Sequence, residues 1–112
     1  MLKTNLFKDL VYHKVPDMEP VETLVDSDQV RIERIVSVGH TTPEGFWYDQ
    51  SEDEWVVLLG GEAEITFDNG EVIPMEAGDA LMIEAGCRHR VTATSTHPPA
   101  VWLAVFISKT SI

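Results

Sequence analysis

From Val30 onward, apolar and polar positions follow a period of two, the pattern of side chains that point alternately to opposite faces of a strand. Val30 to Val38 (VRIERIVSV) is rich in β-branched residues and predicts a strand. In its even register Ile32, Arg34, Val36 and Val38 share a face, with Arg34 as the odd member. The stretch EWVVLLG puts Glu54, Val56 and Leu58 on one face and Trp55, Val57 and Leu59 on the other, so one acid points where two aliphatics point. A carboxylate on an apolar face is costly unless a cation, a donor or a proton pairs with it. Glu62 to Phe67 alternates strictly, as a half-exposed antiparallel strand does, and Asp68-Asn69-Gly70 then signals a hairpin turn. Val72 and Ile73 return, Ala77-Gly78-Asp79 turns again, and Ala80 to Ile83 is a short strand. Another spans Arg90 to Thr94, where His89, Val91 and Ala93 share a face. After Pro98-Pro99, Val101 to Ile107 (VWLAVFI) is apolar on both faces and must be covered twice.

Before Val30 the pattern differs. Leu6, Phe7, Leu10 and Val11 are spaced for one or two turns of amphipathic helix after a cap at Thr4 or Asn5, ending before Pro16. Asp17 to Asp28 is acidic and broken by Pro20, and predicts a surface loop anchored by Val21, Leu24 and Val25. Many short, evenly spaced strands with little helix imply an all-β sandwich or barrel. At 112 residues one domain is expected, with residues 1–29 as an N-terminal arm packing on a barrel of residues 30–112.

Charge narrows the partners. Eight basic residues against 19 acidic ones give a formal net charge of −11, and no basic cluster is available to follow a phosphate backbone or an anionic membrane. Cys87 is the single cysteine, so no intrachain disulfide forms. The segment MLKTNLFKDL has charges too early and an apolar run too short for a signal peptide, so a cytoplasmic location is the expectation. No Ser-His-Asp set, phosphate loop or dinucleotide fingerprint is present, so no nucleotide cofactor is expected.

Glu54, six residues and Gly61, followed by Gly78, five residues, Glu84-Ala85-Gly86, two residues and His89, are similar to the end of the first and to the second motif of the cupins. Together with RIERIVSVG, GFWYDQSEDEWVVLLGGEAEI, RHRV and VWLAVF, they make most of the chain after about residue 30 resemble small single-domain bacterial cupins. The resemblance implies a jelly-roll β-barrel, commonly holding a divalent metal on two first-motif histidines, the motif glutamate and the second-motif histidine. It also implies a homodimer, since cupins usually pair. The chain departs from the pattern where Tyr48 and Gln50, or Trp47 and Asp49 under the longer spacing, stand in place of the histidines, and where Glu84 replaces a proline. Only Glu54 and His89 carry over as ligands.

The expected site therefore joins Glu54, His89, Gln50 and Asp49 as metal donors with Arg34, Trp47 and Tyr48 lining the pocket. An oxygen-rich set with one imidazole suits Mn, Fe, Ni or Zn. Each residue has a plainer reading. Glu54 can be a structural carboxylate paired with Arg34 or an amide, His89 a hydrogen-bonded core residue, Asp49 and Gln50 a polar turn, the aromatics core, and Cys87 a small buried hydrophobe. Three classes of function stay open: a metal-dependent dioxygenase, isomerase or decarboxylase, a non-catalytic module that senses or stores a small ligand with the metal absent or structural, and a dimeric structural scaffold.

Overall fold

The computed structural model describes residues 3–10 and 19–109. Eight strands make up the fold: β1 (Val21–Asp26), β2 (Val30–Ser37), β3 (Asp53–Gly60), β4 (Glu62–Phe67), β5 (Val72–Glu76), β6 (Ala80–Ile83), β7 (His89–Thr94) and β8 (Ala100–Ile107). They form a five-stranded sheet in the order β1-β2-β8-β3-β6 and a three-stranded sheet in the order β5-β4-β7, with antiparallel pairing throughout. The core lies between the sheets, where Val56 and Leu58 of β3 and Ala100 and Trp102 of β8 meet Ala63, Ile65 and Phe67 of β4.

The alternation read in EWVVLLG holds. Val56 and Leu58 are buried beside Glu54, whereas Trp55 is exposed on the other face. The hairpin after β4 turns as its residues dictate. Gly70 adopts a positive φ of 93° and donates to the Phe67 carbonyl at 3.0 Å, while Asn69 Oδ1 accepts from the Glu71 amide at 2.9 Å.

Gly61 has a positive φ of 79°, and a Cβ there would lie 2.5 Å from the Pro99 carbonyl oxygen and 2.8 Å from the Ala100 Cα. Any side chain at this junction between β3 and β4 strikes the backbone that leads into β8.

Two readings of the first 30 residues change. Leu6 and Phe7 sit in a turn rather than a helix, because Asn5 caps it locally. Its Oδ1 accepts from the Phe7 amide at 2.9 Å, and its carbonyl accepts from Lys8 at 3.1 Å. Val11, the last apolar position of the expected helix, lies outside the described residues. Within the expected loop, Val21–Asp26 is a strand paired with β2 at the sheet edge. Only Leu24 among its six residues is half-buried, so no apolar alternation marks it in the sequence.

Arg34 is the main correction to the barrel interior. Pairing with β1 and β8 turns Glu33, Ile35 and Ser37 of β2 inward, and Arg34 outward. It is nonetheless only 6% exposed, because the turn at residues 6–8 covers it. Its guanidinium donates to the carbonyls of Leu6 at 3.2 Å and Lys8 at 3.1 Å and pairs with Glu22 at 2.5 Å. Arg34 therefore clamps the N-terminal segment to the outside of the sheet.

Candidate functional site

Glu54 and His89 meet inside the barrel. Glu54 is held by β3 opposite Phe106 of β8 and Ile83 of β6 and is 8% exposed. His89 opens β7 and is 5% exposed. Its backbone exchanges two hydrogen bonds with Tyr48, at 2.8 and 3.1 Å, and the Tyr48 ring stacks on the imidazole with centroids 5.6 Å apart.

The protonation of His89 follows from its partners. Nδ1 lies 2.9 Å from the Cys87 carbonyl, which can only accept, so Nδ1 carries a proton. The other nitrogen, Nε2, lies 3.5 Å from Glu54 Oε1, and a second proton there completes an imidazolium–carboxylate pair. Burial works to lower the His89 pKa, but pairing with Glu54, the Cys87 carbonyl and the Glu54 charge outweigh it and leave the pKa raised. Gln50 Nε2 donates to the same Glu54 oxygen at 3.2 Å. With His89 protonated, the buried acid has a cation and an amide donor, which is what its place on an apolar face demands.

These groups form one wall of a cavity of about 170 Å³. The rest of the lining is largely apolar, from Val56, Ile65, Ile83, Val91, Trp102 and Phe106, with Glu19 and Glu33 as further acids and no Lys or Arg among the lining residues. Burial first, and then the charges of Glu19 and Glu54, raise the Tyr48 phenol pKa, opposed by a hydrogen bond with Thr42.

Of the residues expected at the site, Tyr48, Gln50, Glu54 and His89 line the cavity together. Arg34 does not, which removes it as a partner for Glu54. Trp47 lies on the opposite side of its strand-like segment from Tyr48, flanked by the guanidiniums of Arg88 at 5.9 Å and Arg90 at 5.5 Å. Asp49 is exposed and is not part of the cavity lining. Cys87 is exposed, contrary to its reading as a buried hydrophobe, and contributes its carbonyl instead. Sequence reading missed Glu33, which the odd register of β2 would have found, and Glu19, which has no signal in an acidic, proline-broken stretch.

A family model described as a cupin domain matches residues 34–106. The chain belongs to the cupin family. No curated protein matches it in sequence. Among solved structures, this cupin is similar to a candidate mannose-6-phosphate isomerase from Ralstonia eutropha, at 41% identity and a TM-score of 0.87 over 96% of this chain and 99% of the other. A cupin superfamily protein from Desulfitobacterium hafniense shares 23% identity and a TM-score of 0.72, covering 88% of this chain and 84% of its own. A protein from Thermus thermophilus shares 19% identity and a TM-score of 0.78, covering 96% of this chain and 98% of its own. The last two likenesses extend to the fold alone.

The donor set does not fit a resident divalent ion. An open zinc-type site takes three protein donors, and no group of three His, Cys, Asp or Glu that could hold a metal occurs among the described residues, so Gln50 would have to turn its amide oxygen inward as the third. Tyr48 and Gln50 occupy the places of the missing histidines, and the one uses its ring to stack on His89 while the other turns its amide nitrogen to Glu54.

Proposed function

We propose that this cupin binds a small organic molecule inside the barrel without a metal, using the Glu54–His89 pair as the polar anchor of an otherwise apolar cavity. The observation that carries the reading is the pair itself: a buried carboxylate and a buried imidazole, held by separate sheets, that face open space instead of packed side chains. A cavity of this character, apolar with a few convergent polar groups, is the usual form of a ligand site. The sugar phosphate in the name of the Ralstonia protein suits this cavity poorly, because acids line it and no Lys or Arg does. Native mass spectrometry of protein purified without added metal, followed by ligand-observed NMR against a fragment set, tests the reading. Fragments that bind and are lost in His89→Ala and Glu54→Gln support it. A stoichiometric divalent ion that disappears in the same variants overturns it.

Proton transfer on the bound molecule is a second reading. It is favoured by the raised His89 pKa, since an imidazolium that can give a proton and a carboxylate that can take one stand 3.5 Å apart at the cavity wall. Solvent deuterium exchange into an α-hydroxyketone that depends on His89 would distinguish catalysis from simple binding.

A homodimer is also proposed, through the outer face of the five-stranded sheet. Ile32, Val105, Trp55 and Met82 are cross-strand neighbours in a row, with Trp55 40% and Met82 48% exposed. A second copy supplies the same uncharged patch, so a twofold contact covers both without bringing like charges together in a strongly acidic protein.

A further inference from the structure

We propose that the cavity selects a small organic cation, an ammonium group on an apolar body, and that Glu19 is the residue that selects it; this rests on reading the barrel as a small-molecule site. Three carboxylates line the cavity, and they differ in what neutralises them. Glu33 is paired with Arg31 at 2.9 Å, and Glu54 with His89. Among the described residues Glu19 hydrogen-bonds only the Ser37 hydroxyl. That hydroxyl accepts from Trp102 Nε1 at 3.1 Å, so its own proton is directed to Glu19. Two neutral donors in series hold the carboxylate in place without cancelling its charge, and no cation pairs with Glu19 among the described residues.

Its position suits a ligand contact. Ser37 and Glu33 are four residues apart on β2, roughly 13 Å along a strand, so the Arg31 charge, which Glu33 shares with Glu52, is remote from Glu19. Glu19, Tyr48 and Val91 also line a second cavity of about 90 Å³ with His40 and Thr42, so Glu19 stands where the two spaces meet. Tyr48 and Trp102 offer aromatic surface to a cation there, while Phe106 already carries the Arg31 guanidinium 4.4 Å from its ring centre. A carboxylate ligand would meet Glu19 and Glu54 with no Lys or Arg in the lining to offset them, and His89, the basic side chain that is there, is already paired with Glu54.

The test compares three probes of one shape and different charge, namely benzylamine, benzyl alcohol and benzoate, in NMR-monitored titrations of the whole protein at neutral pH. The amine is expected to bind about tenfold more tightly than the alcohol, the size of one desolvated charge contact, and benzoate more weakly than either. Glu19→Gln keeps the acceptor for Ser37 and removes the charge, so it should narrow the gap between amine and alcohol to less than about threefold. If the alcohol binds as tightly as the amine, or the variant keeps the full gap, the cation inference fails while the small-molecule site stands. If none of the three perturbs the resonances of Trp102 or His89, both fail.

Discussion

The two faces of the five-stranded sheet each bury a charge, and they do so differently. On the outer face Arg34 is covered by residues 6–8 and satisfied by two backbone carbonyls and Glu22, which is itself more than half exposed. Every partner is backbone or surface, and the result is a clamp that closes over the arginine. On the inner face Glu54 is satisfied by His89 and Gln50, and the pair looks onto open volume. A buried ion pair contributes little to stability against a well-packed apolar alternative. A pair that borders a cavity is therefore better explained by what enters the cavity than by the fold. The clamp holds the chain together, and the pair is kept available.

Breaking the frame that supports both faces should have the largest effect. Gly61→Val forces a side chain onto the Pro99 carbonyl at a positive φ, and a loss of at least about 3 kcal/mol is expected, read as lost soluble yield or a collapsed Tm. A variant that melts like the parent would show that β3 and β4 tolerate a different junction.

Arg34→Met separates the two charges by touching only the outer one. Because Glu22 and the carbonyls of residues 6 and 8 can turn to water, the cost should be about 1–3 kcal/mol in denaturant unfolding, with fragment binding in the cavity unchanged. Glu54→Gln is the inner counterpart. It strands His89 without a counter-charge, and it should cost a similar 1–3 kcal/mol or so while abolishing fragment binding. If both variants lose binding, the contrast between the faces is false.

The pH dependence sharpens the same contrast. Because the His89 pKa is raised in the folded state, the pair contributes its full stability below the ordinary imidazole value of about 6.5 and loses it as pH rises through the raised value. Urea unfolding of the parent should therefore weaken between mildly acidic and mildly alkaline pH, and Glu54→Gln should flatten that slope. The smallest effect on stability is expected from Trp55→Lys on the bare part of the outer face. It should change stability by no more than about 0.5 kcal/mol and convert a dimer into a monomer by light scattering. A parent protein already monomeric at micromolar concentration would remove the proposed interface.

The strands were legible where one face is core and the other is water, as in Glu62–Phe67, because period two then separates the faces without ambiguity. β2 was legible as a strand but not in its facing. Arg34 and Val36 are buried outside, and Ser37 is buried inside, so burial on both sides erases the signal that tells one face from the other. β1 was invisible because an exposed edge strand needs backbone partners more than apolar side chains. In the site, Glu54 was legible from an acid in an aliphatic register, and His89 from its motif position. Trp47 and Tyr48 could not both face inward from adjacent positions, and only the bridge from Tyr48 to His89 decides which does. Glu19 reaches the cavity through a contact with Ser37 across 18 residues of sequence, a distance at which no local pattern speaks.

Whether the cavity wall is an imidazolium–carboxylate pair serving an organic ligand is decided by an NMR titration of the His89 imidazole nitrogens, with and without excess Zn. The expected result is a pKa above the ordinary histidine value, Nδ1 protonated throughout, and no change on adding the metal. A pKa at or below the ordinary value, or an Nε2 resonance that shifts stoichiometrically with Zn, would contradict it.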